Sequence, residues 1–314
     1  MTPTTAAPKP SAPLALLPAL LRATVAATLL ALNTLCWCVL LFALALVRLV
    51  LPGRAMRRLL DPLLNAVATA WIAGNSGWMR LTQATVWDVQ GIDGLPYQGW
   101  YLVISNHQSW VDIFVLQHLL NRRIPLLKFF LKQELIWVPV LGLAWWALDF
   151  PFMRRHSDEV LRRHPEKRFE DLEAARRACA KFALVPTSVM NFVEGTRYTA
   201  AKHDSQRSPY AHLLRPKAGG LAMAIHALGD RFDSLLDVTI VYPDGAPTFR
   251  QFLRGEVGRV VVRAARHEIP AELHAGSPQD SAQRKRVQRW LAELWQAKDD
   301  QITSLGGNGR ARAD

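Results

Sequence analysis

Two short runs of this sequence bring together residue types that can move protons and hold anions. The first is Ser105-Asn106-His107-Gln108-Ser109-Trp110-Val111-Asp112. An imidazole held by a carboxylate is a general base of fixed tautomer near neutral pH. Asp112 can face His107 if the chain passes from a strand through a short exit loop into a helix between them. Asp112 also stands three residues past Ser109, the spacing of a helix capping box, so a purely structural use is open to the same carboxylate. The second run is Glu194-Gly195-Thr196-Arg197. Glycine at a strand exit lets a substrate approach the backbone, while Thr and Arg can hold a phosphate, the Arg through two parallel bonds. A turn with a solvated Arg reads the same way. Between the two runs, Phe150-Pro151-Phe152-Met153-Arg154-Arg155 ends a hydrophobic stretch in two cations.

The elements that must carry these groups are legible as short apolar strands alternating with helical patterns. Tyr101–Ser105, Ser188–Val193, Val238–Tyr242 and Arg259–Ala264 read as strands; Ser109–Leu120, Phe169–Phe182 and Ser281–Lys298 read as helices. Strands that are apolar throughout predict an α/β domain with a largely buried sheet flanked by helices. The polar run from Thr199 to Tyr210 reads as a loop, and the Gly-rich residues 299–314 as a flexible tail. Leu135–Phe152, with Trp137, Trp145 and Trp146, fits a buried helix-turn-strand and also a surface facing a membrane or an acyl chain.

Ahead of this domain lies a different texture. Residues 1–13, rich in Pro, Ala and Thr, read as a disordered lead, and residues 14–82 as membrane-anchoring helices. From Ala23 to Val47 no residue is charged, and a helix of that length can cross a hydrocarbon core of roughly 30 Å. A second apolar stretch, Leu59 to Trp78, is interrupted by Asp61-Pro62 and Gly74-Asn75-Ser76-Gly77 and suits a half-inserted or interfacial helix. Arg48, Arg54, Arg57 and Arg58 follow the first apolar run, so the positive-inside bias predicts residues 85–314 on the cytoplasmic side of an inner membrane.

Half of the 314 residues are hydrophobic, which excludes a mainly disordered chain, and the net charge of +12 points to an anionic partner. Three cysteines support neither a disulfide scaffold nor a cysteine zinc site. The phosphate loop, the dinucleotide-binding glycine pattern, the Gly-x-Ser-x-Gly elbow and His-Glu-x-x-His are all missing from the sequence. ATP hydrolysis, dinucleotide redox chemistry, serine hydrolysis and zincin proteolysis therefore lose their support. A nucleic-acid binder would share the charge but not the apolar N-terminal segment, and no aromatic RNA platform is present.

Asn106-His107-x4-Asp112, then hydrophobic-Arg, then Phe192-Val193-Glu194-Gly195-Thr196-Arg197, at intervals of about forty residues, resemble the glycerolipid acyltransferase family (PlsC-type, 1-acylglycerol-3-phosphate). Lys132-x-Glu134-Leu135, Leu214–Gly220 and Val241-Tyr242-Pro243-Asp244-Gly245 extend the likeness, the later ones toward a bacterial branch. The resemblance covers roughly residues 85–265 and implies that family's mixed-sheet fold. It implies His107 as general base oriented by Asp112, with Glu194, Gly195, Thr196 and Arg197 binding the acceptor and Arg155 as a second cation. Lys217 is a weaker candidate. Acyl-CoA or acyl carrier protein would be the donor, a lysophospholipid the acceptor, and no metal or redox cofactor would be required. One departure stands out: the second block ends Phe152-Met153-Arg154-Arg155-His156, which leaves the acceptor open. The same chemistry on lysophosphatidylglycerol or a non-phosphate lipid is the alternative, with a non-catalytic lipid-binding protein beyond it.

Overall fold

The computed structural model describes residues 12–153, 185–274 and 280–307. Arg154, Arg155 and the helix expected over Phe169–Phe182 lie outside these residues.

The centre is a six-stranded mixed sheet made of β1 (Val86–Gln90), β2 (Tyr101–Ser105), β3 (Leu127–Phe129), β6 (Ser188–Phe192), β7 (Ser234–Val241) and β8 (Arg259–His267). Its spatial order is β1-β8-β7-β2-β6-β3. β7, β2, β6 and β3 run parallel, β8 turns antiparallel to β7, and β1 pairs parallel with β8. β4 (Leu131–Lys132) and β5 (Phe152–Met153) form a separate two-stranded ladder. The central strands are buried on both faces, and their side chains alternate between two apolar clusters. Tyr101 and Val103 of β2 face one cluster with α2 (Arg54–Thr82), α3 (Val111–Leu120) and α4 (Leu141–Ala147). Leu102 and Ile104 face the other, with α6 (Gly219–Leu228) and α8 (Ser281–Ser304). Between Thr199 and Tyr210, expected as loop, a short helix α5 (Ala200–Gln206) is capped by the Thr199 hydroxyl.

The two N-terminal helices differ from the expectation in two ways. α1 (Ala19–Val50) is long and apolar enough to cross a membrane, and of its residues only Ala26, Cys38 and Leu41 are buried. The second apolar stretch, expected to be interrupted, forms one continuous helix: α2 runs unbroken through Pro62 and through Gly74–Gly77. Those polar residues are contact points. Asn33 of α1 donates to the Trp71 carbonyl and to Asn75 Oδ1, both at 2.9 Å, and its amide fills the space a side chain at Gly74 would need. Second, α1 is fastened to the domain at both ends. Near its start Leu14 N–H donates to the Leu81 carbonyl (3.0 Å), and α1 packs on α7 (Phe249–Leu253) as well as on α4. At its end Arg48 pairs with Asp61 (2.8 Å) and Asp149 (3.0 Å), and Arg57 pairs with Asp149 (2.6 Å). Lys128 of β3 lies behind this cluster, its ammonium donating to the Leu148 carbonyl, and burial pushes its amine down to about 8. Of the arginines read as topology signals, Arg48 and Arg57 therefore hold α1 and α2 to the domain. Arg54 and Arg58 remain exposed.

α8 likewise does not stop at Lys298, where the sequence suggested a flexible tail. It continues to Ser304, with Ile302 fully buried and Asp299 accepting from the Ala211 and His212 amides.

Candidate active site

The site forms where two adjacent parallel strands end level. Ser105 of β2 pairs with Phe192 of β6, so the second residue past each strand, His107 and Glu194, emerge side by side. The neighbouring β7 continues beyond Ser105, leaving the peptide edge of Ile240 without a strand partner on that side. The Asn106 amide takes its place: Nδ2 donates to the Ile240 carbonyl (2.8 Å), and the Ile240 amide donates to Oδ1 (2.9 Å). One buried side chain thus ends the strand without orphaning backbone groups and releases His107 from the sheet.

Asp112 serves the imidazole and also the backbone ahead of α3. The helix starts one residue later than a capping box at Ser109 requires, and the Ser109 hydroxyl accepts from the Val111 amide instead. Asp112 Oδ2 accepts from the Gln108 amide (2.6 Å) and the Ser109 amide (2.9 Å) at the entry to α3, and from His107 Nδ1 at 2.9 Å. Its Oδ1 accepts from the Tyr242 hydroxyl at 2.7 Å. A carboxylate at Nδ1 fixes the proton there, so Nε2 carries the lone pair. Nε2 makes no hydrogen bond among the described residues. The ring is stacked on Phe192, with centroids 3.9 Å apart and planes 15° apart, and stays 13% exposed while Asp112 is fully buried. The arrangement can accept a proton from a hydroxyl that reaches Nε2.

The second run divides into an internal part and a surface part. Glu194 is completely buried; Oε1 accepts from the His107 amide (3.0 Å) and Oε2 from the Leu214 amide (3.3 Å). Burial outweighs these donors and pushes its carboxyl up to about 8. With both oxygens engaged and no exposure, Glu194 ties the His107 loop to the loop before α6. The expected direct contact with an acceptor does not correspond to this position. Gly195 adopts φ +71°, a left-handed conformation that glycine takes without strain. Thr196 and Arg197 then lie at the surface, and the Arg197 guanidinium sits 4.9 Å over the half-exposed Trp110 ring. The exposed Lys217 joins the same segment through its amide, bonded to the Val193 carbonyl at 2.7 Å.

Sequence reasoning missed three residues here. Tyr242 and Asn106 were quoted only as parts of motifs. Lys202 of α5 donates to the Thr196 hydroxyl (2.9 Å) and to the Arg197 carbonyl (3.0 Å), adding a cation beside the expected phosphate contacts. A polar residue just past the last position of an apolar strand was the one signal for Asn106, and it does not name the partner. Lys202 had none once its segment read as loop. Among the described residues no cluster of His, Cys, Asp and Glu could hold a metal ion.

Comparison with known proteins gives the family. A family model described as Acyltransferase matches residues 86–243, half of the chain, so the chain belongs to the glycerolipid acyltransferase family. It is 28% identical over 230 residues to the probable 1-acyl-sn-glycerol-3-phosphate acyltransferase 5 of Arabidopsis thaliana, covering 69% of this chain and 56% of that one. The Danio rerio lysocardiolipin acyltransferase 1 is 26% identical over 263 residues, covering 76% and 63%. This chain therefore spans somewhat over half the length of these relatives. Among solved structures, the 1-acyl-sn-glycerophosphate acyltransferase PlsC of Thermotoga maritima superposes with a TM-score of 0.50 at 17% identity, covering 91% of this chain and 98% of that one. That likeness shows the fold.

Proposed function

We propose that this protein moves a fatty acyl group from acyl-CoA or acyl carrier protein to the hydroxyl of a lysophospholipid, most simply 1-acyl-sn-glycerol 3-phosphate, giving phosphatidic acid. The observation that carries the reading is the His107–Asp112 contact of 2.9 Å with Nε2 left open at the ends of β2 and β6. Nε2 takes the proton of the acceptor hydroxyl as its oxygen attacks the thioester carbonyl. The tetrahedral species then collapses, and the imidazolium returns the proton to the leaving thiolate. The thioester is already activated, so the reaction needs neither an acyl-enzyme nor a resident metal or redox cofactor. The acceptor class rests on the relatives, several of which are named 1-acyl-sn-glycerol-3-phosphate acyltransferases. One relative is named for lysocardiolipin, which keeps a second phosphate-bearing acceptor in play. Labelled acyl-CoA and acyl carrier protein, each offered with lysophosphatidic acid, lysophosphatidylglycerol, lysocardiolipin and monoacylglycerol, test it. Fastest ester formation on lysophosphatidic acid is expected; no ester on any lysolipid overturns the reading.

Arg197 belongs to acceptor binding in this proposal, with Arg155 and Lys202 as further cations. A charge-assisted hydrogen bond is worth about 1.5–3 kcal/mol. Arg197→Ala should accordingly raise the acceptor KM roughly tenfold or more while the donor KM stays put. Arg197→Lys should recover part of that, because a point charge reproduces neither the planar fork nor the stacking on Trp110. A rise in donor KM alone would move Arg197 to the carrier side.

The α1–α2 hairpin is the membrane anchor in this reading. The exposed leucines and valines of α1, together with Trp137 and Trp146, offer an apolar surface that water does not favour. Because both ends of α1 are fastened to the domain, the hairpin is best accommodated within the cytoplasmic leaflet, with the site at its surface. Exposed Arg54 and Arg58, and the cytoplasmic origin of acyl thioesters, support that side. Cys36 is exposed on α1 and serves as a single labelling site after Cys38→Ser and Cys179→Ser. A polarity-sensitive dye there should shift to the blue on phospholipid vesicles and be quenched by brominated acyl chains. Unchanged emission would remove α1 from the bilayer.

A further inference from the structure

We infer that Tyr242 is a positioning residue for acyl transfer, holding the buried carboxylate of Asp112 so that its other oxygen stays on the imidazole of His107. This rests on the general-base reading of His107.

The argument starts from the sheet. β7 outlasts β2, and the chain leaving it at Val241 stays beside the residues that enter α3: Tyr242 meets Asp112, and the Pro247 carbonyl accepts from the Ser109 hydroxyl. Tyr242 is 1% exposed, and its hydroxyl lies 2.7 Å from Asp112 Oδ1. That is the one hydrogen bond Oδ1 makes among the described residues, whereas Oδ2 serves the Gln108 amide, the Ser109 amide and His107 Nδ1. A carboxylate gripped at one oxygen alone can pivot about its Cβ–Cγ bond, carrying Oδ2 off the imidazole. A donor at Oδ1 closes that freedom and leaves no buried oxygen unsatisfied. Burial raises the phenol well above its ordinary range, so it remains a donor at any working pH. The same strand also fixes the base of the loop, since Ile240, two residues earlier, receives the Asn106 amide. β7 thereby sets His107 twice: through Asn106 at its backbone and through Tyr242 and Asp112 at its ring.

The other ionisable group beside this chain is Glu194, bonded to the His107 amide from the β6 side, and Lys298 acts on Glu194 from across the sheet. Neither touches Oδ1 of Asp112, so the phenol's contribution can be measured alone.

Tyr242→Phe deletes one oxygen and keeps the ring. Steady-state rates are compared for the parent, Tyr242→Phe, Asp112→Asn and the double variant, with His107→Ala beside them. The expected result is a fall in kcat of about tenfold, the low end for a hydrogen bond to a charged group, with both KM values nearly unchanged. Placed on Asp112→Asn, the same substitution should cost little, because the group it acts through is already altered. A loss of folded protein would multiply both backgrounds equally, so the cycle separates positioning from mere packing. Unchanged kcat in Tyr242→Phe, or the full loss repeated in the Asp112→Asn background, overturns the inference while an inactive His107→Ala leaves the general base standing. Turnover surviving in His107→Ala overturns both.

Discussion

His107→Ala is expected to slow acyl transfer by roughly 10²–10⁴-fold, the usual worth of a general base, while the protein remains folded. The separation follows from who holds whom. The ring is held by Asp112 and Phe192, but it holds little in return. With the imidazole gone, Asp112 keeps the Gln108 and Ser109 amides and the Tyr242 hydroxyl, so its buried charge stays satisfied and the turn entering α3 stays tied. The backbone bonds of residue 107, its amide to Glu194 and its carbonyl from Tyr198, survive the substitution. Unfolding midpoints near the parent's, vesicle binding as before and collapsed kcat are the combined result to look for. Asp112→Asn should behave differently, since its carbonyl oxygen can serve the Gln108 and Ser109 amides only with the NH2 group turned onto the Tyr242 hydroxyl. That contact must then reverse its donor and the charge facing the imidazole is lost, costing rate and some stability. Near-parental turnover in His107→Ala would remove the mechanism.

The parts of this site legible in the sequence are those made by neighbours along the chain. Strand Tyr101–Ser105 followed closely by a helix brings Asp112 back to His107 within one turn, and local periodicity is enough to see it. Tyr242 meets Asp112 across a sequence separation of 130, and Asn106 meets Ile240 across 134. No spacing rule foretells such a meeting; only the order of strands does, and a strand order with β7 beside β2 was not readable from apolar runs. Asn75 and Gly74 failed for the opposite reason. In an isolated segment they look like interruptions, because their value lies in the partner helix that Asn33 brings. Arg48 and Arg57 were counted as solvent-facing signals of topology although their carboxylates, Asp61 and Asp149, are already supplied by the chain. Charge counting is blind to pairing.

Glu194 shows the same blindness within the site, and its substitution should have the largest effect on stability. Placed in the sequence beside Gly195, Thr196 and Arg197, its carboxylate read as a hand for the acceptor, yet it is fully buried between two backbone amides. Glu194→Ala leaves the amides of His107 and Leu214 without a partner and without water. At about 1–3 kcal/mol for each unsatisfied group, the loss is roughly 2–6 kcal/mol, a large share of what holds an ordinary domain together. The native carboxyl lies at about 8 against an ordinary 4.5, so the folded protein binds this proton more tightly than the unfolded chain does. The group's contribution is therefore fully present below about 4.5 and is lost as pH rises through 8. Denaturant unfolding in detergent at pH 5 and pH 8 should show the parent losing this increment toward the alkaline side, and Glu194→Gln, which cannot ionise, losing none of it. Rate should fall in Glu194→Ala even where the protein is folded, because the His107 loop and the loop at Leu214, itself braced by Trp295 Nε1 at 3.0 Å, would no longer be tied together. Should Glu194→Ala instead keep parental stability and raise only the acceptor KM, the carboxylate would have to reach the substrate after all. The loops around it would then have to open during turnover, since nothing from solvent reaches a side chain closed in on every side.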